Sequence, residues 1–262
     1  MIDEARLAEI VREAGRIAYS LWPGAGHKLR SWEKSPGNPV CDADLAVDRF
    51  LSRELTALLP AAAWLSEETV DDKARLDSDC AWLVDPIDGT RDFVRGRPGW
   101  AVSVALVRDG RPLIGMLSAP ARGEEWRAVA GQGAWRNGER LAVAKAQILA
   151  GARTPSDGLA RADRMLAAVA KPNSIALRVA MVAAGEADLV ATMRWGHEWD
   201  IAAATLIARE AGAAVGDAFG APLAFNKRNP GAFGLVVSPP TIFAEAVEHI
   251  RERAEAASAR AA

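Results

Sequence analysis

Cysteine is nearly absent: Cys41 and Cys80 are the only two in 262 residues, and neither belongs to a Cys-x-x-Cys or Cys/His grouping. That scarcity excludes a disulfide-stapled scaffold and a zinc site of the usual spacing, and it points to a reducing, cytoplasmic setting. No window holds the roughly 18 consecutive apolar residues that suggest a membrane-spanning helix. The opening segment, MIDEARLAEIVREAGRIAYSLW, mixes both charge signs and lacks the basic start and unbroken apolar run of a signal peptide. Neither charge sign dominates: 32 basic against 34 acidic residues leave a formal net charge of −2. Nothing in that balance calls for a nucleic-acid or membrane partner. Internal repeats and low-complexity linkers are also missing.

What is present is the composition of a soluble globular protein, 50% hydrophobic and 25% charged. The length suits one large domain or two tightly joined lobes. Asp3 is a candidate N-cap for a helix in which Leu7, Ile10, Val11, Ala14, Ile17, Ala18 and Leu21 follow helical spacing up to Pro23. Residues 24–41, with several Gly and Pro breakers and Lys28, Arg30 and Lys34, read as a mobile basic loop. A second helix is expected over 42–59. Short strands are expected at 64–66 and 81–84, then a meander at 101–107, 113–117 and 125–130 with turns at Asp109-Gly110 and Asn137-Gly138. That pattern predicts a largely antiparallel sheet rather than alternating βαβ units.

A looser Ala/Gly/Thr/Pro stretch near 145–155 suggests two lobes, residues 1–145 and 146–262. Helices are expected near 158–170, at 174–185 and at 200–212, with strands at 188–191 and 233–237. A last helix follows Pro239-Pro240, and the Ala- and Arg-rich final dozen residues are expected to fray. The nine tryptophans form no repeating box and are expected in the core or in pocket walls.

The chemistry lies in three acidic clusters, each beside an apolar run: Ser66-Glu67-Glu68, Asp85-Pro86-Ile87-Asp88-Gly89-Thr90 and Trp199-Asp200. A carboxylate at a strand end is held on a rigid base at the sheet rim, where catalytic groups are common. Pro86 keeps Asp85 out of a helix, so a turn can aim Asp85, Asp88 and the Ile87 carbonyl at one point. All are hard oxygen donors, suited to Mg²⁺. Gly89 permits close backbone approach, and free N–H groups at Thr90 would favour a phosphate. Carboxylates converging on a phosphate dianion would repel it, and roughly two to three Mg²⁺ ions would offset them while clamping attacking water and leaving oxygen. Taken singly, each feature has a plainer reading: a solvated Glu-Glu pair, an ordinary turn, a cap at Asp200 or at Thr90.

The string Asp85-Pro86-Ile87-Asp88-Gly89-Thr90-Arg91-Asp92-Phe93 resembles the metal-binding signature of the inositol monophosphatase superfamily. Trp199-Asp200-Ile201-Ala202-Ala203 resembles its second signature, and Ser66-Glu67-Glu68 its glutamate element. The resemblance implies a layered α-β-α-β-α sandwich, a largely antiparallel N-terminal sheet with a smaller mixed C-terminal one. It also implies Mg²⁺ dependence, lithium inhibition and a homodimer. By the same resemblance Glu67, Asp85 and the Ile87 carbonyl hold the metal that carries the attacking water, and Asp85, Asp88 and Asp200 hold a second. Thr90 helps to deprotonate the water with Asp44 accepting the proton, the backbone at Gly89 and Thr90 binds phosphate, and Lys34 lies near a third, weaker ion. Asp44 is placed by Val40-Cys41-Asp42-Ala43-Asp44, where Cys41 stands at a position usually Thr, which puts one local hydrogen bond in doubt.

Within the superfamily, the inositol branch carries a glutamate that contacts sugar hydroxyls, and Met193 occupies that position here. Arg194 and His197 nearby suit a second phosphate, and the segment 222–226 is similar to nucleotidases of the CysQ type. The expected substrate is therefore adenosine 3′,5′-bisphosphate, with inositol 1-phosphate or a broad range of sugar phosphates as the alternative. A catalytically silent metal- or nucleotide-binding regulator is the alternative from another class; it would be expected to lack Glu67 or Thr90, and both are present.

Overall fold

The computed structural model describes residues 2–36 and 38–260; Met1, Gly37, Ala261 and Ala262 lie outside them. The first helix, α1 (Glu4–Leu21), starts where the Asp3 carboxylate accepts the Arg6 N–H at 2.9 Å and ends before Pro23. A hairpin, β1 (Ser31–Ser35) with β2 (Asn38–Cys41), leads into α2 (Asp42–Leu58). The central sheet follows as β3 (Ala63–Ser66), β4 (Cys80–Asp88), β5 (Ala101–Arg108), β6 (Arg111–Ala119), β7 (Glu124–Val129), β8 (Gly133–Arg136) and β9 (Glu139–Arg140). These seven strands lie side by side in chain order. The short helix α3 (Thr90–Val94) interrupts them after β4.

Beyond them come β10 (Arg153–Pro155), β11 (Ala167–Val169), α4 (Ile175–Ala183), β12 (Val190–His197), α5 (Glu198–Glu210), β13 (Ala214–Gly216), β14 (Gly231–Ser238) and α6 (Pro240–Ala259). Strands β12, β14 and β13 form a second sheet.

The layers follow from alternation along strands that are buried on both faces. On β4, Trp82 and Val84 pack with α1 and α2 through Leu7, Ile10, Val47 and Leu51, while Ala81 and Leu83 pack with α4 and α5. On β14, Leu235 and Val237 join that second cluster, and Val236 faces Ile242, Ala246 and Ile250 of α6. The order is helices, seven-stranded sheet, helices, three-stranded sheet, helix, which is the layered sandwich expected. The largest cluster unites residues on both sides of position 145, because α5 lies flat on the central sheet. Tight approach there depends on Gly115 of β6, where an added Cβ would lie 2.6 Å from the Ala203 carbonyl oxygen of α5. Among the described residues, no helix is long and apolar enough to cross a membrane.

Several expectations are corrected. Ser31–Ser35 and Asn38–Cys41 pair as antiparallel strands where a loop is expected; Gly37 lies outside the described residues. The stretch near 158–170 is not an α-helix despite its alanines and holds just a 3-10 turn at Arg161–Asp163. Its residues Ala167–Val169 pair in parallel with Arg153–Pro155, and Asp163 is fixed by Arg253 and His249 of α6, so tertiary partners override propensity. The smaller C-terminal sheet is antiparallel throughout its described strands, not mixed; the parallel pair in the central sheet is β3 with β4. The final helix holds to Ala259 because Ala254 is buried and Arg253 is tied to Asp163, with Ala261 and Ala262 outside the described residues. Strand β13 was not anticipated, and β12 is longer than the expected 188–191.

Replacing Gly115 by Val forces α5 off the sheet and is expected to cost about 2–4 kcal/mol, as overpacking of a close backbone contact does. Gly158→Ala, with nothing within 4 Å of the new Cβ, is the control and is expected to be near neutral. Equal melting temperatures for the two variants would contradict this packing.

Candidate active site

Strand β4 pairs with β5 as far as Asp85 opposite Ser103, then the register shifts before Asp88 meets Ala101. The irregularity is where Pro86, lacking an N–H, cannot continue the ladder. The Asp85 carboxylate folds back to accept the Ile87 N–H at 3.0 Å. Gly89 follows with φ +96, and an added Cβ would sit 2.7 Å from the Gly99 carbonyl and 2.8 Å from the Ser174 nitrogen. Both the left-handed backbone and the close approach require glycine. Thr90 then opens α3, its hydroxyl 3.0 Å from the Ile87 carbonyl and 3.3 Å from Asp44 Oδ1.

Asp44 sits in the first turn of α2 and is fully buried. Its Oδ2 accepts the Cys41 N–H at 2.8 Å and the Cys41 thiol at 2.7 Å. The thiol thus supplies a local hydrogen bond to Asp44 at the position where one is in doubt from the sequence. Burial above all pushes the Asp44 carboxyl up to about 6, with the Glu67 charge adding to it and the Cys41 bonds opposing. Burial and the Asp44 charge likewise push the Cys41 thiol well up, so it is held as the neutral donor.

Glu67 follows β3, its N–H donating to the Val84 carbonyl at 3.2 Å. The strand end is braced from α2, where Asp48 accepts the Ser66 hydroxyl at 2.5 Å and the Thr69 hydroxyl at 3.0 Å. Asp200 enters from the other side, in the first turn of α5, and accepts the His197 N–H at 2.9 Å. One carboxylate oxygen each from Glu67, Asp85 and Asp200 lie within 4.8 Å of one another. Among the described residues neither Asp85 nor Asp200 is paired with a lysine or arginine, while Lys34 reaches Glu67 at 3.1 Å and Glu68 at 2.5 Å. Burial, then the charges of Glu67, Asp88 and Asp200, raise the Asp85 carboxyl well above the usual range. Burial followed by the Asp88 charge does the same to Asp200. Burial pushes Glu68 up to about 7 against the pull of Lys34. A set of crowded carboxylates outnumbering the single lysine that reaches them has the donor chemistry for a hard divalent ion.

Asp88 stands beside this trio rather than in it. Its Oδ2 accepts the Ser174 hydroxyl at 2.5 Å and the Ala176 N–H at 2.7 Å. Burial pushes it up to about 6, opposed by those bonds and by the Arg178 charge. Ser174, which caps α4, and Arg178 on that helix were not anticipated. The only signal for Ser174 was a serine just ahead of an apolar run, which reads as a helix cap and not as a site residue.

Beside Asp200 opens a cavity of about 200 Å³, lined in part by Arg178, Arg194, Trp195 and His197. Arg178 is held by neutral groups, its guanidinium donating to the Pro172 carbonyl at 2.8 Å and the Asn173 carbonyl at 2.5 Å. His197 stacks on Trp199 with centroids 4.3 Å apart, and burial lowers its pKa. Met193 does not line this cavity; it packs against the cluster under α6. A neighbouring hollow of about 390 Å³ is lined by Lys171, Arg178, Arg194 and Arg253 and by no acid.

With this geometry, similarity to known proteins becomes informative. The chain is 34% identical over 209 residues to the 3′(2′),5′-bisphosphate nucleotidase CysQ of Aggregatibacter actinomycetemcomitans, covering 74% of this chain and 78% of that one. It is 31% identical over 239 residues to the fructose-1,6-bisphosphatase/inositol-1-monophosphatase of Thermotoga maritima, covering 87% and 90%. Among solved structures, a Thermotoga maritima IMPase superposes with a TM-score of 0.81 at 29% identity, covering 95% of this chain and 97% of that one. The family model for the inositol monophosphatase family matches residues 4–255, and the chain belongs to that family.

Proposed function

We propose that the chain, a phosphatase by family, is a Mg²⁺-dependent phosphomonoesterase whose substrate is adenosine 3′,5′-bisphosphate. The observation that carries the reaction class is the convergence of Glu67, Asp85 and Asp200 within 4.8 Å. Glu67, Asp85, the Ile87 carbonyl, Asp88 and Asp200 are the groups that would hold the ions. Bound there, Mg²⁺ supplies the positive charge that acidifies water and stabilises a leaving alkoxide. The chain's own residues do the rest. Thr90 presents a hydroxyl between the Ile87 carbonyl and Asp44, and Asp44, pushed up to about 6, takes the proton at Oδ1. The N–H groups at Gly89 and Thr90 bind the phosphate, and Asp200, which lines the cavity, faces the leaving group.

Three features favour the bisphosphonucleotide. Met193 replaces the glutamate that would bind sugar hydroxyls and is turned towards α6. Arg178 and Arg194 line the cavity with no carboxylate bridge among the described residues, leaving guanidinium donors for a second phosphate. The relative named CysQ is described as a 3′(2′),5′-bisphosphate nucleotidase. A cytoplasmic homodimer sensitive to lithium remains part of the same reading.

A phosphate-release panel with Mg²⁺ tests the reading. The kcat/KM for adenosine 3′,5′-bisphosphate is expected to exceed that for inositol 1-phosphate by at least about tenfold, since a buried charged contact is worth ~1.5–3 kcal/mol. The reverse order would transfer the chain to the inositol substrates, and no turnover of any ester would favour the silent regulator. Asp85→Asn is expected to lower kcat by about a thousandfold or more while leaving the circular dichroism unchanged, the scale of losing one electrostatic contact to the reacting group. Full activity in that variant would remove Asp85 from the site.

The raised carboxyls also make stability depend on pH. Asp44 and Asp88, each pushed up to about 6, and Glu68, pushed up to about 7, bind a proton more tightly folded than unfolded. Their stabilising contribution is full below about pH 4 and is lost as pH rises through about 6 to 7. In EDTA the chain is expected to melt several degrees lower at pH 8 than at pH 5, with Mg²⁺ restoring most of the difference at pH 8. A melting temperature indifferent to both pH and Mg²⁺ would contradict the cluster.

A further inference from the structure

The cavity beside Asp200 has one wall that phosphate hydrolysis alone does not need. Trp195 is 55% exposed, although five of the other tryptophans are buried. It stands on β12 just past a register shift that lies between Thr192 and Trp195. The extra residue of that bulge re-aims the side chains on either side of it. Met193 packs under α6, and Trp195 lines the cavity together with Arg178, Arg194 and Asp200.

The indole is braced rather than loose. Its ring lies 5.4 Å from that of Phe233 at an interplanar angle of 56°, and Phe219 stands 6.0 Å behind Phe233. At Gly231 an added Cβ would sit 3.4 Å from the Trp195 ring, so the glycine leaves room for it. A large apolar side chain held in place yet left open to water forgoes the burial that would stabilise the core. Its contact with Phe233 instead lowers the entropy that a stacking partner must overcome.

The neighbours say what kind of partner fits. Trp195 shares its cavity with the guanidinium groups of Arg178 and Arg194 and with Asp200, whose carboxylate belongs to the acid cluster. A planar ring joined to a phosphorylated sugar matches that set of groups: phosphate at the acid cluster, a further phosphate at the arginines, the ring on the indole. A cyclohexane-like polyol has no flat face to offer.

We propose that Trp195 is the stacking platform for the nucleobase, and that it selects nucleoside phosphate esters over esters of non-aromatic alcohols. This assignment rests on the bisphosphonucleotide reading of the site.

Trp195→Ala is expected to raise KM for adenosine 3′,5′-bisphosphate roughly 5- to 150-fold, the range for losing one base–aromatic stack, with kcat nearly unchanged. Glycerol 2-phosphate, which lacks a ring, should show no change, and Trp195→Phe should keep most of the nucleotide affinity. An equal effect on both esters, or none on either, overturns the platform. Calorimetric titration with adenosine 5′-monophosphate separates this claim from the activity. If the native chain hydrolyses nothing yet binds the mononucleotide through Trp195, the platform stands and the phosphatase substrate reading falls. Equal binding by native chain and Trp195→Ala, or no binding by the native chain, sinks the platform. A change of oligomeric state in Trp195→Ala with unaltered nucleotide binding would assign the indole to a second copy of the chain and overturn it as well.

Discussion

Mutual repulsion among buried carboxylates is the constraint around which this molecule is organised. Asp85 is only 2% exposed, and its oxygen lies with those of Glu67 and Asp200 inside 4.8 Å. Such groups cannot all ionise in a protein interior without a compensating charge. Either protons or cations must supply it, and the choice between them shifts with pH. Without cations at neutral pH the site would store an unfavourable interaction, and binding them would release it. On the proposed function, that coupling would join stability to activity through the same few oxygen atoms.

The rest of the fold keeps those atoms from moving apart. Each acid rides on a different element, and each element is fixed by a contact outside the trio. Asp48 of α2 holds Ser66 at the end of β3, next to Glu67. Ser174 and the Ala176 N–H hold Asp88, tying the β4 turn to α4. Gly115 lets α5, and with it Asp200, lie close on the central sheet. The Cys41 thiol and N–H orient Asp44, whose other oxygen meets Thr90. Rigid elements with supporting hydrogen bonds are what a metal-assisted reaction needs, because misplacement by an ångström is expensive.

Much of this was legible before the fold was known, for identifiable reasons. The period of Leu7, Ile10, Val11 and Ala14 gave α1, and Asp3 marked its start. Asp109-Gly110 and Asn137-Gly138 signalled hairpins, and in both pairs each residue has positive φ. The acids were recognisable because each interrupts an apolar run. What escaped were features set by distant partners. Residues 158–170 look helical in isolation and are held otherwise by β10 and α6. Ser174 and Arg178 acquire their roles only when α4 meets the β4 turn. Asp88 read as an equal of Asp85, whereas hydrogen bonds from α4 hold it beside the trio. The bulge that separates Met193 from Trp195 leaves no mark in local composition, since it arises in pairing with β14.

The central claim is that Glu67, Asp85 and Asp200 form one seat for a divalent cation. Anomalous diffraction from crystals soaked in Mn²⁺, a congener of Mg²⁺ with oxygen-ligand preferences, tests it directly. The account predicts a strong peak bounded by carboxylate oxygens of all three residues. A peak elsewhere, or none in crystals with these side chains well ordered, would contradict it.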